Sequence, residues 1–176
     1  LDYVRALADE FGYAVAPTPT LEAGGERISS TRIRAALSEA DFEGAQALLG
    51  RPFEMAGRVQ HGQKLGRQLD APTANIALHR IRSPLHGVYA VRVWGGGLDG
   101  AAAVANVGVK PTIGESLEAT LEVHVLEGSP DLYGERLTVR FRHKLRDEQK
   151  FPSLDALKEG IASDKIDARA WLAEHG

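Results

Sequence analysis

The stretch LEVHVLEGSPDLYGERLTVRFRH, residues 121–143, holds two runs of strict alternation on either side of a turn. In the first, Leu121, Val123 and Val125 fall on one side, with Glu122 and His124 on the other. In the second, Leu137, Val139 and Phe141 oppose Arg136, Thr138, Arg140 and Arg142. A period of two is what an extended chain with one buried face requires. Between the runs, EGSPDLYGE supplies Gly, Pro, Ser and Asp, each suited to tight turns.

The same pattern continues upstream. Phe53, Met55, Gly57 and Val59 share a face, with Glu54, Arg58 and Gln60 on the other or at its edge. GVYAVRVW (87–94) is rich in strand formers, and AVANVGV (103–109) is an apolar run of strand length, the two separated by WGGGLDG. About five or six short strands at this spacing predict a mainly β chain folded as a closed or nearly closed antiparallel barrel.

Both ends read as helix. Ser153 is placed to cap a helix from Leu154 to Ile161, and Ser163 or Asp164 a second from Ile166 to Ala173. Leu157 and Ile161 share a face, as do Ile166 and Ala170, so these C-terminal helices are expected to pack on the barrel. At the front, LDYVRALADEFGYAVAPTP predicts an amphipathic helix (Leu1, Val4, Leu7, Phe11) running into a short strand. Ser29-Ser30 precede a helix over 31–37, and a further helix from Phe42 to Leu49 stops at Gly50, a favoured C-cap. Arg51-Pro52 then breaks the pattern, which puts a domain boundary near residue 50 and divides the chain into 1–50 and 51–176. With no Met at its start, the chain reads as a fragment of a larger parent.

Composition narrows the functional classes. The 176 residues hold no cysteine, which excludes disulfides, thiolate catalysis and cysteine-based metal sites, and fits a cytoplasmic protein. No apolar run reaches the ~20 residues that span a bilayer, and no signal peptide opens the chain. Residues 1–50 carry 4 Lys/Arg against 8 Asp/Glu, and residues 51–176 carry 17 against 16, so neither part is basic enough for a dedicated nucleic-acid binder.

Two places carry candidate chemistry. In HGQKLGRQLDAPTANIAL (61–78), Pro72 stiffens the entry to Thr73, and Thr73 and Asn75, two apart, point the same way in an extended chain. A hydroxyl and an amide oxygen suit Mg²⁺, which is usually held by one or two protein groups plus phosphate and water. Gly62 and Gly66 allow close approach of backbone amides to an anion, with Lys64 and Arg67 supplying charge. The plainer reading is a turn whose Thr and Asn satisfy local backbone groups. The second place is Glu122. An unpaired carboxylate inside a small barrel is costly, so it must face solvent or have a task such as general base catalysis. Its plainer reading is a surface acid opposite Arg140 or Arg142 on a neighbouring strand.

Taken in combination, GxxxGRxxxxPTAN, GVYAV, NVGVKPT, LEVHVLEGSPDLYGE and LRDEQKF, in that order from about residue 52 onward, resemble the riboflavin kinase module. In bacteria this module forms the C-terminal half of bifunctional riboflavin kinase/FMN adenylyltransferase (FAD synthetase). Ile28-Ser29-Ser30-Thr31-Arg32-Ile33-Arg34 resembles the ISSTxIR motif that closes the adenylyltransferase module, and an ordinary capped helix is the alternative for these residues. None of the six histidines forms the HxGH motif of that module, so adenylyltransferase activity is not expected.

The resemblance implies a six-stranded antiparallel Greek-key barrel with helix over it, phosphorylating riboflavin with ATP and Mg²⁺. Carried over by motif position, it implies Thr73 and Asn75 as Mg²⁺ and phosphate ligands, and Gly62, Lys64, Gly66 and Arg67 as a loop over the ATP phosphates. It implies Glu122 as the base for the ribityl hydroxyl, His124 and Tyr133 near the nucleotide, and Arg146 and Phe151 on the flavin side. One departure is Asp70, where the family usually has Gly; it adds negative charge near the phosphates. The expected partners are small-molecule substrates, without nucleic acid or membrane, and with self-association through the N-terminal remnant. Two other classes compete: an OB-like nucleic-acid barrel using Arg136, Arg140, Arg142, Lys144 and Arg146, and a non-catalytic flavin-binding module.

Overall fold

A computed structural model describes residues 2–16, 19–60, 73–78, 83–111 and 117–175. Among them, helix α1 (Asp2–Phe11) is followed by a two-residue hairpin, β1 (Glu22–Ala23) and β2 (Glu26–Arg27), then helices α2 (Ser30–Ser38) and α3 (Phe42–Leu49). Six longer strands come next: β3 (Glu54–Gln60), β4 (Ala74–Ala77), β5 (Gly87–Gly95), β6 (Leu98–Pro111), β7 (Leu117–Val125) and β8 (Arg136–Arg146). Helix α4 (Leu154–His175) ends the chain.

The six strands close into an antiparallel barrel in the order β3-β4-β7-β6-β5-β8. The alternation read in β7 and β8 sets the inner wall. Leu121, Val123, Leu137, Val139 and Phe141 are buried there with Met55, Val59, Ile76, Tyr89, Val91, Val93, Ala105 and Val107. β4, seen in the sequence only as an extended lead-in at 73–75, is a strand because Ala74 and Ile76 turn inward to this core. β5 and β6 join through Gly96 and Gly97, both at positive φ (60° and 82°), the geometry of a two-residue hairpin turn that matches strand twist. The turn is tighter than WGGGLDG suggested, and Leu98 to Gly100 already belong to β6.

β5 is buried almost throughout because both of its faces are covered. Tyr89, Val91 and Val93 look into the barrel, while Val88 and Ala90 look outward and meet Ala168 and Leu172 of α4 with Val104 and Leu126. Three arginines tie this helix down: Arg92 to the Leu172 carbonyl (3.1 Å), Arg142 to that of His175 (2.7 Å), and Arg169 of α4 to Leu126 (2.7 Å). Two of them satisfy C-terminal helix carbonyls that have no partner within the helix. Trp171 stacks between His143 and His175, with centroids 4.9 and 4.5 Å away.

The tail thus differs from the expected pair of helices. α4 is unbroken, and Asp164, read as a cap, is instead a buried mid-helix acid held by Arg146. Ile166 is exposed, and the buried positions run Asp164, Ala168, Leu172 at a spacing of four. The cap at the helix start is as expected, with the Ala156 N–H donating to Ser153 Oγ at 3.1 Å.

At the front, Ser29 caps α2 by accepting from the Arg32 N–H, and Asp41 caps α3 by accepting from Gly44. Gly50, at φ 71°, terminates α3. Leu37 and Ala45 are buried in the barrel's own core cluster. Phe42 brings its ring to within 6.0 Å of Tyr89 and 6.1 Å of Phe141. α1 buries Ala8 but leaves Tyr3, Val4 and Phe11 exposed, while Leu1 lies outside the described residues. No strand forms at residues 13–16; the β1–β2 hairpin follows instead. Among the described residues no helix is long and apolar enough to cross a membrane.

Candidate active site

The inward turn of Ala74 and Ile76 on β4, and of Leu121 and Val123 on β7, sends Asn75, Glu122 and His124 to the outside of the barrel. Strand register then aligns a row across four strands. Asn75 on β4 faces Glu122 on β7, Glu122 faces Asn106 on β6, and Asn106 faces Val88 on β5. Directly opposed side chains on one face stand about 4.5–5.5 Å apart at Cβ, so Asn75, Glu122 and Asn106 form a contiguous polar strip that ends at the apolar Val88. Glu122 is therefore half-buried on the outer wall rather than inside the barrel. Its plainer reading also loses its partners: β7 lies between β4 and β6, away from β8. Arg140 pairs with Glu54 (2.8 Å) and lies 4.5 Å over Trp94, and Arg142 binds the end of α4.

The N-terminal half of α4 and the chain leading into it roof this strip, leaving a cavity of about 320 Å³, within the range of small-molecule sites. Thr73, Asn106, Glu122, His124, Arg146, Glu148, Phe151, Asp164 and Lys165 line it, with Val88, Val104, Leu157 and Ile161 as apolar surface. Five residues singled out from sequence thus meet at one cavity: Thr73, Glu122, His124, Arg146 and Phe151. Asn75 stands beside it through its register with Glu122. Tyr133 does not line it. It is 55% exposed in the turn before β8, which is anchored to β3 by the Gly134 N–H donating to the Val59 carbonyl (3.1 Å). Gly62, Lys64, Gly66, Arg67, Asp70 and Pro72 lie outside the described residues.

Arg146 and Phe151 are part of a larger clamp. Arg146 Nε and Nη2 donate to the two oxygens of Asp164, both at 2.8 Å, and Nη1 donates to the Asp147 carbonyl at 3.0 Å. With each of its three nitrogens engaged, the guanidinium lies 5.5 Å from the Phe151 ring. That ring rests on Gly160 of α4, where a Cβ would stand 2.5 Å from Cε1 and Cζ. A bidentate pair with one partner buried holds geometry firmly. Just outside, the exposed Asp147 carboxyl is held below its ordinary range by a hydrogen bond from Lys144, 2.6 Å away, and by that ammonium's charge. The basic row proposed for nucleic acid is mostly consumed in this way, with Arg140, Arg142, Lys144 and Arg146 each engaged inside the protein.

Asn106, Glu148, Asp164 and Lys165 are cavity residues that sequence reasoning missed. Asn106 had a signal: it is polar within AVANVGV, on the face opposite to Ala105 and Val107. Asp164 did not, since an acid after a serine reads equally well as a helix cap.

The donor set fits a hard cation shared with phosphate. Thr73, just ahead of β4, and Asn75 within it carry neutral oxygens, and no group of three or more His, Asp or Glu among the described residues could hold a metal by itself. At the front, Arg32 donates to the carbonyls of Glu26 and Arg27, both at 2.9 Å, so here it ties the β1–β2 hairpin to α2.

Comparison with known proteins agrees with the geometry. The riboflavin kinase (flavokinase) family pattern matches residues 49–172. Bifunctional riboflavin kinase/FMN adenylyltransferase from Pseudomonas fluorescens is 51% identical over 174 residues, covering 98% of this chain and 55% of that protein. Its counterpart from Escherichia coli K12 is 48% identical over 163 residues, covering 93% and 52%. The chain thus spans about half the length of the curated relatives it matches. Among solved structures, riboflavin kinase from Trypanosoma brucei superposes with a TM-score of 0.51 at 27% identity, covering 70% of this chain and 82% of that one. A crystal structure named as a macrolide-efflux protein from Streptococcus pneumoniae reaches 0.74 at 34% identity, covering 95% and 55%. With the family pattern laid over the barrel, its outer cavity and the clamp, this chain belongs to the riboflavin kinase family.

Proposed function

We propose that the chain transfers the γ-phosphoryl group of ATP to the primary hydroxyl of riboflavin's ribityl chain, giving FMN and ADP. The observation that carries this reading is the single cavity lined by Thr73, Glu122, His124, Arg146 and Phe151. Phosphoryl transfer asks little covalent chemistry of a protein, and depends on positioning and charge neutralisation. Glu122 takes the proton as the ribityl oxygen bonds to phosphorus and the bond to ADP breaks. Its half-buried place on a rigid strand favours alignment with the attacking hydroxyl. Thr73 and Asn75 would hold Mg²⁺, which when bound supplies positive charge to the phosphates. Gly62, Lys64, Gly66 and Arg67 would cover those phosphates, with His124 and Tyr133 toward the nucleotide. Arg146 and Phe151 would present a flat wall to the flavin, held in place by Asp164 and Gly160.

In the same reading, residues 1–50 correspond to the closing part of an adenylyltransferase module and 51–176 to the kinase. α1, with Tyr3 and Phe11 exposed, is where self-association would occur. A cytoplasmic location fits the absence of cysteine. The test is direct: incubate the purified chain with riboflavin and MgATP, and separate the flavins by chromatography. FMN that depends on ATP and metal supports the kinase. Bound but unchanged riboflavin would mark a flavin-binding module, and FAD would contradict the assignment of residues 1–50.

A further inference from the structure

Asn106 ends the polar strip, between Glu122 on one side and Val88 on the other. Its side chain lines the cavity. The carboxamide nitrogen donates to Glu148 Oε1 at 3.4 Å, and the Glu148 carboxylate reaches it by lying across Gly108, where a Cβ would collide with that oxygen. This contact fixes which way round the amide sits, since the reverse would press Oδ1 against a carboxylate oxygen. Oδ1 is therefore turned away from Glu148. Among the described residues it is buried with no hydrogen-bond donor.

Such an atom needs explaining. A buried acceptor left without a donor loses its hydration and gains nothing in return, and folded proteins rarely keep one without a purpose. Here it belongs to a cavity wall, one strand spacing from the proposed base. The missing partner must be a donor, which excludes ionised phosphate oxygens. A flavin carrying a sugar-alcohol chain offers several hydroxyls and one ring N–H. The ring belongs with Phe151 and Arg146, whereas the end of the chain must reach Glu122, so the donor beside Asn106 is a hydroxyl.

We propose that Asn106 Oδ1 accepts a hydrogen bond from a secondary hydroxyl of the substrate's polyol chain, while Glu122 takes the neighbouring primary hydroxyl. Asn106 is then a substrate-binding residue that selects flavins bearing a polyol, and Glu148 is the positioning residue that keeps its oxygen pointed at the ligand. This rests on the kinase reading above.

The experiment compares riboflavin with lumiflavin, the same ring system with a methyl group in place of the polyol, each titrated into the purified chain by flavin fluorescence. Asn106→Ala is expected to weaken riboflavin binding about tenfold, the factor of one hydrogen bond, while lumiflavin affinity stays within about twofold. The KM for riboflavin should rise in step with the binding loss, leaving the KM for ATP unchanged. Glu148→Gln, which keeps an oxygen for the Asn106 amide, should bind riboflavin nearly as the parent does, and Glu148→Ala more weakly. Unchanged riboflavin affinity in Asn106→Ala, or an equal loss for both flavins, would overturn the proposal; the lumiflavin arm detects general damage to the fold. Failure of the unmodified chain to make FMN would instead sink the kinase reading, a result separable from the binding comparison.

Discussion

The outer wall of the barrel is treated in two opposite ways along one helix. Under the C-terminal half of α4, Val88, Ala90 and Val104 meet Ala168 and Leu172 and are sealed from water. Under the N-terminal half, Leu157 and Ile161 do not close onto Asn106, Glu122 and His124, and a cavity of about 320 Å³ stands between wall and roof. Val88 and Val104 border both regions, so the division lies within single strands. What separates the halves is the helix sequence: small and aliphatic residues at 168 and 172, an acid at 164 and a glycine at 160. Asp164 is 6% exposed and engages Arg146 instead of filling the space beneath it, and Gly160 receives the Phe151 ring. One half of the helix contributes apolar burial, and the other half holds side chains in place around an opening.

The comparison can be broken most severely at Glu122. Glu122→Gln removes the proposed proton acceptor with little change of shape, and turnover in a riboflavin kinase assay should fall by about 10²–10⁴. ATP affinity by calorimetry should hardly move. A loss under tenfold would remove Glu122 from the role of base. On the sealed side, Leu172→Ala should cost about 2–5 kcal/mol in urea unfolding, because it empties a filled site, yet leave the KM for riboflavin near its parent value. A large rise in KM would mean that the two halves are not independent.

The barrel interior is a reference common to both regions. The Tyr89 phenol is pushed up to about 12, first by burial, with the nearby Asp147 charge adding to the effect and the His86 backbone hydrogen bond opposing it. The fold favours the neutral phenol, so its contribution is complete below the ordinary value of 10.0 and is lost as pH rises toward about 12. Unfolding free energy should drop by roughly 2–3 kcal/mol across that window, and Tyr89→Phe should flatten the dependence. The smallest effect sharpens the open side alone. In Gly160→Ala the new methyl must displace the Phe151 ring, so the KM for riboflavin should rise severalfold, with little change in the KM for ATP. An unchanged KM would show that Phe151 does not depend on that seat.

The legible part of this protein was whatever a local pattern could carry. LEVHVL and RLTVRFRH alternate, and the structure buries Leu121, Val123, Leu137, Val139 and Phe141 as one wall. Ser29, Gly50 and Ser153 end or begin helices through contacts within a few residues. Alternation also put Glu122 and His124 together on the polar face, though it could not say what that face meets. Asp164 was misread for the same reason, since its partner lies 18 positions back on β8.

The strand period, the caps at Ser29, Gly50 and Ser153 and the family's motif blocks were therefore determined by the sequence by itself, because each depends on a few adjacent residues. The tertiary structure alone decided that β7 lies between β4 and β6, which gives Glu122 the neighbours Asn75 and Asn106 and denies it Arg140. It also decided which stretch of outer wall is covered and which is left as a cavity. Sheet order and helix placement bring together residues that are far apart in the chain, and no local periodicity records such meetings.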